Sequence, residues 1–178
     1  MTPLYRQVIF LHGVGGTGAA MRPLAEGLAL PQPAVFLDGP HPFDMGPGRQ
    51  WFSVKGVTEA NRPARVTEAL PAFVRLIESV GDPRDGLLIG FSQGAIMALH
   101  AVAAGLPAAG VVALSGRLAG PVAPRSDWPP ITLLHGADDP VMPVAAARAT
   151  EAWLHDAGAK PRLTVFDGLL WRGDGGRP

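Results

Sequence analysis

The stretch GLLIGFSQGAIMAL, residues 86–99, decides the fold. An apolar run ends in Gly90-Phe91-Ser92-Gln93-Gly94, and an alanine-rich apolar segment follows directly. A run of this kind reads as a buried strand, and the segment after it as a buried helix. Between them, Gly-x-Ser-x-Gly makes a tight strand-to-helix turn that presents a serine in a strained conformation. The glycines remove side chains that would clash across the turn. The helix that follows aims its free amides and the positive end of its dipole at the serine. Ser92 is therefore the candidate nucleophile, and a serine hydroxyl attacks only when a base takes its proton.

Working outward, the same alternation fills the chain. Strands are expected at Gln7–Leu11, Ala34–Leu37, Leu87–Ile89, Gly110–Leu114, Ile131–Leu134 and Arg162–Phe166. Helical spacing is found in residues 19–30, Asn61–Val80, Gln93–Ala104 and Val144–Ala157, the last stopped by Gly158. The stretch GPHPFDMGPGR, residues 39–49, reads as loop. Short apolar strands alternating with helices predict an α/β fold with a mainly parallel, doubly wound sheet flanked by helices. In such sheets the reactive groups sit in loops at the carboxyl ends of strands. Three loops fit that position: His12–Gly18, Gly90–Gly94 and His135–Pro143.

Composition narrows the function. The chain of 178 residues is expected to form one domain over its whole length, and its 47% hydrophobic content is that of a globular protein. Fifteen basic and fifteen acidic residues cancel, which gives no electrostatic case for nucleic acid or an anionic membrane. The absence of cysteine excludes disulfides, thiolate metal sites and a cysteine nucleophile. No stretch approaches the roughly 18 apolar residues of a membrane span. No secretory signal is legible at the start, so a cytoplasmic location is the default expectation.

Ester hydrolysis places negative charge on the former carbonyl oxygen, and two backbone amides can hold it. One is expected from the residue after the nucleophile, Gln93. The other is expected from the glycine loop after the first strand, with Val14 as the donor. That loop, GVGGTG, also suggests phosphate binding, but no Lys-Ser/Thr pair follows and the G-x-G-x-x-G phase is absent. The acid of a triad should follow the nucleophile in the chain, and LLHGADDPVMP offers Asp138 and Asp139 just past a strand. Asp-Pro also makes turns, so one of the two could serve only the turn; spacing does not choose between them.

Together FLHGVGGTG, GRQWFSVKGVTEANRPARV, LIGFSQGAIMAL and HGADDPVMP resemble the carboxylesterase and acyl-protein thioesterase family of α/β-hydrolases, in its small bacterial esterase branch. The resemblance implies a serine hydrolase that cleaves carboxylic esters, in some members thioesters, on small-molecule substrates and with no cofactor or metal. By position it makes Ser92 the nucleophile and Asp139, the aspartate before proline, the acid. Val14 and Gln93 become the oxyanion hole, and Trp51 and Phe52 an aromatic segment beside the acyl pocket; core packing explains that pair equally well.

The resemblance also implies a Gly-His pair after the last strand, followed by one more helix. Here the chain reads FDGLLWRGDGGRP, with Leu170 and Trp171 in that slot. None of the five histidines reads as a replacement base: His12 and His135 match structural positions of the family, and His100 lies about 12 Å along the helix from Ser92. His155 sits late on a surface-type helix, and His41 alone merits a test. The expectation is thus an esterase-type chain truncated or frame-shifted after about residue 169, with the base and the C-terminal helix missing and activity impaired. A sheet face left bare by that helix would favour association into a homo-oligomer. The competing reading is a non-catalytic ligand-binding or scaffold protein of the same fold; a haloperoxidase-like or peptidase chemistry is a third.

Overall fold

The computed structural model of the chain describes residues 4–168. Six strands form one sheet: β1 (Gln7–Leu11), β2 (Ala34–Leu37), β5 (Gly86–Phe91), β6 (Gly110–Leu114), β7 (Ile131–Gly136) and β8 (Arg162–Phe166). Their order is β2-β1-β5-β6-β7-β8, and every neighbouring pair is parallel. Parallel neighbours need crossovers, and the helices supply them: α1 (Arg22–Leu28), α2 (Arg62–Ser79), α3 (Gln93–Ala103) and α4 (Val144–Asp156). This is the α/β-hydrolase arrangement expected from the sequence. The winding direction reverses between β1 and β5, and at such a switch point the loops after the two strands are where α/β sheets carry their reactive groups. Those are the His12–Gly18 and Gly90–Gly94 loops.

Alternation along each strand builds two cores. Ile9, Leu11, Leu88, Val111, Ala113, Ile131 and Leu133 pack on one face with Phe73 and Ile77 of α2, Met97 and Leu99 of α3 and Leu154 of α4. Val8, Phe10, Ile89 and Leu114 face the other way, with Met21 and the α1 residues Leu24 and Ala25. On that second face Leu87, Val112 and Leu134 are only partly buried. Helix α3 is sunk in the first core, which is why its sequence is apolar nearly all round.

One element departs from the sequence reading. Residues 39–49, expected as loop, contain two short antiparallel strands, β3 (His41–Pro42) and β4 (Arg49–Gln50). Strands of two residues carry no legible period, and the three prolines and three glycines around them read as punctuation. The Leu170–Trp171 slot and the stretch after it, where the family's last helix is expected to be missing, lie outside the described residues.

His100 of α3 makes a prediction about stability. Its Nε2 accepts a hydrogen bond from the Ala119 amide at 2.8 Å, which fixes the neutral ring. Burial pushes its pKa down from 6.5 to about 4. The unfolded chain therefore binds a proton that the folded chain refuses, and stability falls as pH drops from 6.5 towards 4. The expected loss by pH 4.5 is about 2–3 kcal/mol. Urea denaturation at pH 7 and 4.5 should show that part of the loss disappear in His100→Gln, whose side chain can still accept from Ala119 without titrating.

Candidate active site

Ser92 occupies the turn between β5 and α3 with φ 49° and ψ −111°, a combination that L-residues adopt only when the surroundings impose it. Its amide donates to the Leu114 carbonyl at 2.9 Å and its carbonyl accepts from the Ile96 amide at 3.0 Å, so both of its backbone polar groups are fixed. The flanking glycines are required by contact. A Cβ on Gly90 would lie 2.6 Å from the Ala95 backbone, and one on Gly94 would lie 2.4 Å from the Leu11 carbonyl oxygen. The second contact presses the start of α3 against the end of β1, where the candidate oxyanion loop begins.

That loop runs beside the serine: a Cβ on Gly13 would sit 3.4 Å from Ser92 Cβ. Its amides are mostly committed. Gly15 N–H donates to the Arg49 carbonyl, Gly16 N–H to the Gly13 carbonyl and Gly18 N–H to Asp38 Oδ1. Such commitments disfavour a phosphate cradle, which needs several free amides converging on one anion. The Gly13–Val14 peptide is held in a definite orientation. The Gly39 amide donates to His12 Nε2 at 2.9 Å, so the ring proton lies on Nδ1, which donates to the Gly13 carbonyl at 2.6 Å. A trans peptide points its C=O and N–H in opposite directions, so tying down the Gly13 carbonyl aims the Val14 N–H away from His12. Burial holds the His12 pKa below its usual value, which keeps the ring neutral for this task.

Gln93, the other expected donor, has a second role that the sequence reading missed. Its buried side chain accepts from the Trp51 amide through Oε1 at 2.8 Å and donates to the Phe52 carbonyl through Nε2 at 2.7 Å. Trp51 is 1% exposed, and its indole donates to the His12 carbonyl at 2.8 Å. Its ring stands edge-on to Phe73 with centroids 5.3 Å apart. Trp51 is thus a strut under the loop that follows β1. Trp51 and Phe52 also border a cavity of about 660 Å³ with His41, Asp44, Arg65 and Glu68; Ser92 is not among the residues lining it. A partner 41 or 42 residues away leaves no local pattern, so only the glutamine's position after the serine could have drawn attention to it.

The structure distinguishes the two aspartates. Asp139 Oδ1 accepts from the Val141 and Met142 amides, each at 2.9 Å, and so holds the turn after β7. Asp138 is exposed. The buried His135 ring bonds the Met142 carbonyl at 2.6 Å and braces the same turn. The turn residue and the expected acid are therefore the same residue, with Oδ2 as the oxygen left for a base. Asp139 follows β7, two strands from the end of β5 that bears Ser92. Next to β7, β8 ends at Phe166, whose carbonyl accepts from the Ala137 amide.

The described histidines are engaged elsewhere or exposed. His12, His100 and His135 bond backbone groups. His41 lines the cavity that does not include Ser92, and His155 is exposed near the end of α4. Glu59 is bridged by Arg62 at 2.8 Å and Arg117 at 2.5 Å, tying the segment before α2 to the segment after β6. Among the described residues no group of three metal-ligating side chains occurs, and no helix is long and apolar enough to cross a membrane.

The chain matches the model of the phospholipase/carboxylesterase family over residues 2–173. It is 37% identical to Esterase YpfH of Escherichia coli strain K12 over 177 residues, covering 94% of this chain and 76% of that protein. The crystal structure of esterase PE8 superposes with a TM-score of 0.80 at 28% identity, over 93% of this chain and 85% of that one. A carboxylesterase from Mesorhizobium loti shares the fold, with a TM-score of 0.77 at 18% identity, over 99% and 84% of the two chains. The strained serine between two close-packed glycines and the family match agree: the chain belongs to the phospholipase/carboxylesterase family of α/β-hydrolases.

Proposed function

We propose that the protein is a serine hydrolase that cleaves carboxylic esters of small molecules through an acyl-enzyme on Ser92. The observation that carries this reading is the Ser92 backbone, held at φ 49° beside a loop where a Cβ added to Gly13 would touch the serine. None of the described histidines bonds Ser92, so the hydroxyl proton passes to solvent as Oγ attacks the ester carbonyl carbon, and acylation is impaired relative to a chain with a triad histidine. The tetrahedral oxyanion is held by the Val14 and Gln93 amides, each worth roughly 3–4 kcal/mol of barrier. The alcohol leaves with a proton from solvent, and water then releases the acid by the same path. By the family pattern Asp139 is the acid that would orient a base, and here its Oδ1 holds the turn after β7. Trp51 supports the oxyanion loop through its indole bond to the His12 carbonyl and, with Phe52, walls a cavity.

The engagement of the buried histidines favours a second reading, in which the same fold binds an ester or acid without turning it over. Hydrolysis of p-nitrophenyl acetate separates the two. Turnover with a burst of p-nitrophenol equal to the enzyme concentration supports the first. Saturable binding with neither burst nor turnover supports the second.

A further inference from the structure

The cavity bordered by Trp51 and Phe52 does not include Ser92, and its lining is polar in one particular way. Its volume of about 660 Å³ lies within the range of small-molecule sites. Its buried residues, Gln50, Trp51 and Phe52, form the floor, and Asp44 and Glu68 are exposed at its mouth. Ala64 and Ala69, from the first turns of α2, add an apolar side.

Most hydrogen-bond donors of this lining are committed to the protein itself. Ser53 Oγ donates to Asp44 Oδ2, and Arg65 Nη1 donates to the Ser53 carbonyl at 3.0 Å. Asn61 donates to the Gly56 carbonyl at 3.0 Å and accepts from the Thr58 amide at 2.7 Å. The Trp51 indole serves the His12 carbonyl. Gln50 bonds Asp44 through its side chain, and only its amide nitrogen can donate to a carboxylate. Acceptors are what remain. Gln50 Oε1 is buried and has no partner among the described residues. Glu68 enters no hydrogen bond or ion pair among them. The bonds from Ser53 and Gln50 hold the Asp44 carboxyl below the usual carboxylate range, so it is ionised at neutral pH. The lining thus carries two carboxylates and one guanidinium, the latter braced on Ser53.

We propose that this cavity is a binding site for an organic ammonium ion with an apolar body, separate from Ser92 and independent of any chemistry there. An ammonium brings several N–H donors and a positive charge to a lining that lacks both. It donates to Gln50 Oε1 and pairs with Asp44 and Glu68, while its body lies against Phe52, Ala64 and Ala69. A buried acceptor without a donor opposes folding, and this ligand removes that penalty. An acyl chain in the same space would leave the acceptors unpaired, and an anion would meet two carboxylates.

The test is isothermal titration calorimetry at pH 8 with three probes of nearly one shape: 2-phenylethylammonium, 2-phenylethanol and phenylacetate. The ammonium should bind one to one and at least about tenfold more tightly than the other two. Glu68→Gln, on an exposed side chain without a partner, should keep the wild-type melting temperature and weaken ammonium binding about threefold or more. Adding Asp44→Asn should abolish the preference over the alcohol. Ser92→Ala should bind the ammonium as the wild type does, which separates this cavity from the elbow. Equal affinity for the ammonium and the alcohol overturns the assignment, as does tighter binding of phenylacetate or the absence of ammonium binding up to about 10 mM. Loss of ammonium binding in Ser92→Ala, or its persistence in the double carboxylate variant, overturns it as well.

Discussion

Ser92→Ala should abolish the acyl-enzyme burst with p-nitrophenyl acetate while the protein stays folded. The reason is local. Alanine accepts the φ 49°, ψ −111° backbone no better and no worse than serine, so the elbow persists and only the attacking oxygen is gone. Ser92→Gly supplies the internal control. Glycine adopts that conformation without strain, and the variant should gain about 1 kcal/mol or more in urea denaturation while remaining equally inactive. Opposite signs on stability and activity at one position are the mark of strain held for function. A Ser92→Ala variant with wild-type turnover would remove Ser92 from the chemistry altogether.

The second large effect is expected at Gly94. A methyl group there would meet the Leu11 carbonyl oxygen at 2.4 Å and the His12 carbonyl oxygen at 2.7 Å. Both atoms belong to backbone at the end of β1, a central strand of the sheet, and neither can step aside. Relief requires α3 to lift away from the loop that follows β1. Gly94→Ala should therefore cost about 3 kcal/mol, seen as a fall of roughly 6–12 °C in melting temperature. It should also slow reaction at Ser92, because the Gln93 amide moves with the helix and the Val14 amide stays with the loop. Gly27, whose added Cβ would meet nothing within 4 Å, is the matched control and should tolerate alanine. Equal behaviour of the two variants would mean that the elbow and the loop are not in close contact.

Much of this was legible before any coordinates. The six sheet strands could be placed because parallel, doubly covered strands are short apolar runs that stop at glycine or a polar turn, as β1 does at His12-Gly13. The elbow was legible because its chemistry demands glycine on both sides of the serine. The β3–β4 hairpin was not, because its pairing is held from outside its own sequence: Gly15 and Gly16 exchange hydrogen bonds with Arg49 across more than thirty residues. The same limit hid the Gln93 clamp on Trp51 and Phe52, and the arginine bridge from Glu59 to Arg117. Spacing left Asp138 and Asp139 equivalent. Only the turn geometry shows that the two amides it must satisfy fall on Asp139.

The central claim is that the strained turn and the two amide donors make Ser92 more reactive than an ordinary serine. A fluorophosphonate probe tests it most directly, since its phosphoryl oxygen needs the same two donors as the ester oxyanion. Labelling of the intact protein, located by peptide mass spectrometry, should fall on Ser92 alone and vanish on heat denaturation. A folded protein that takes up no probe, or takes it up at some other serine, would contradict the account.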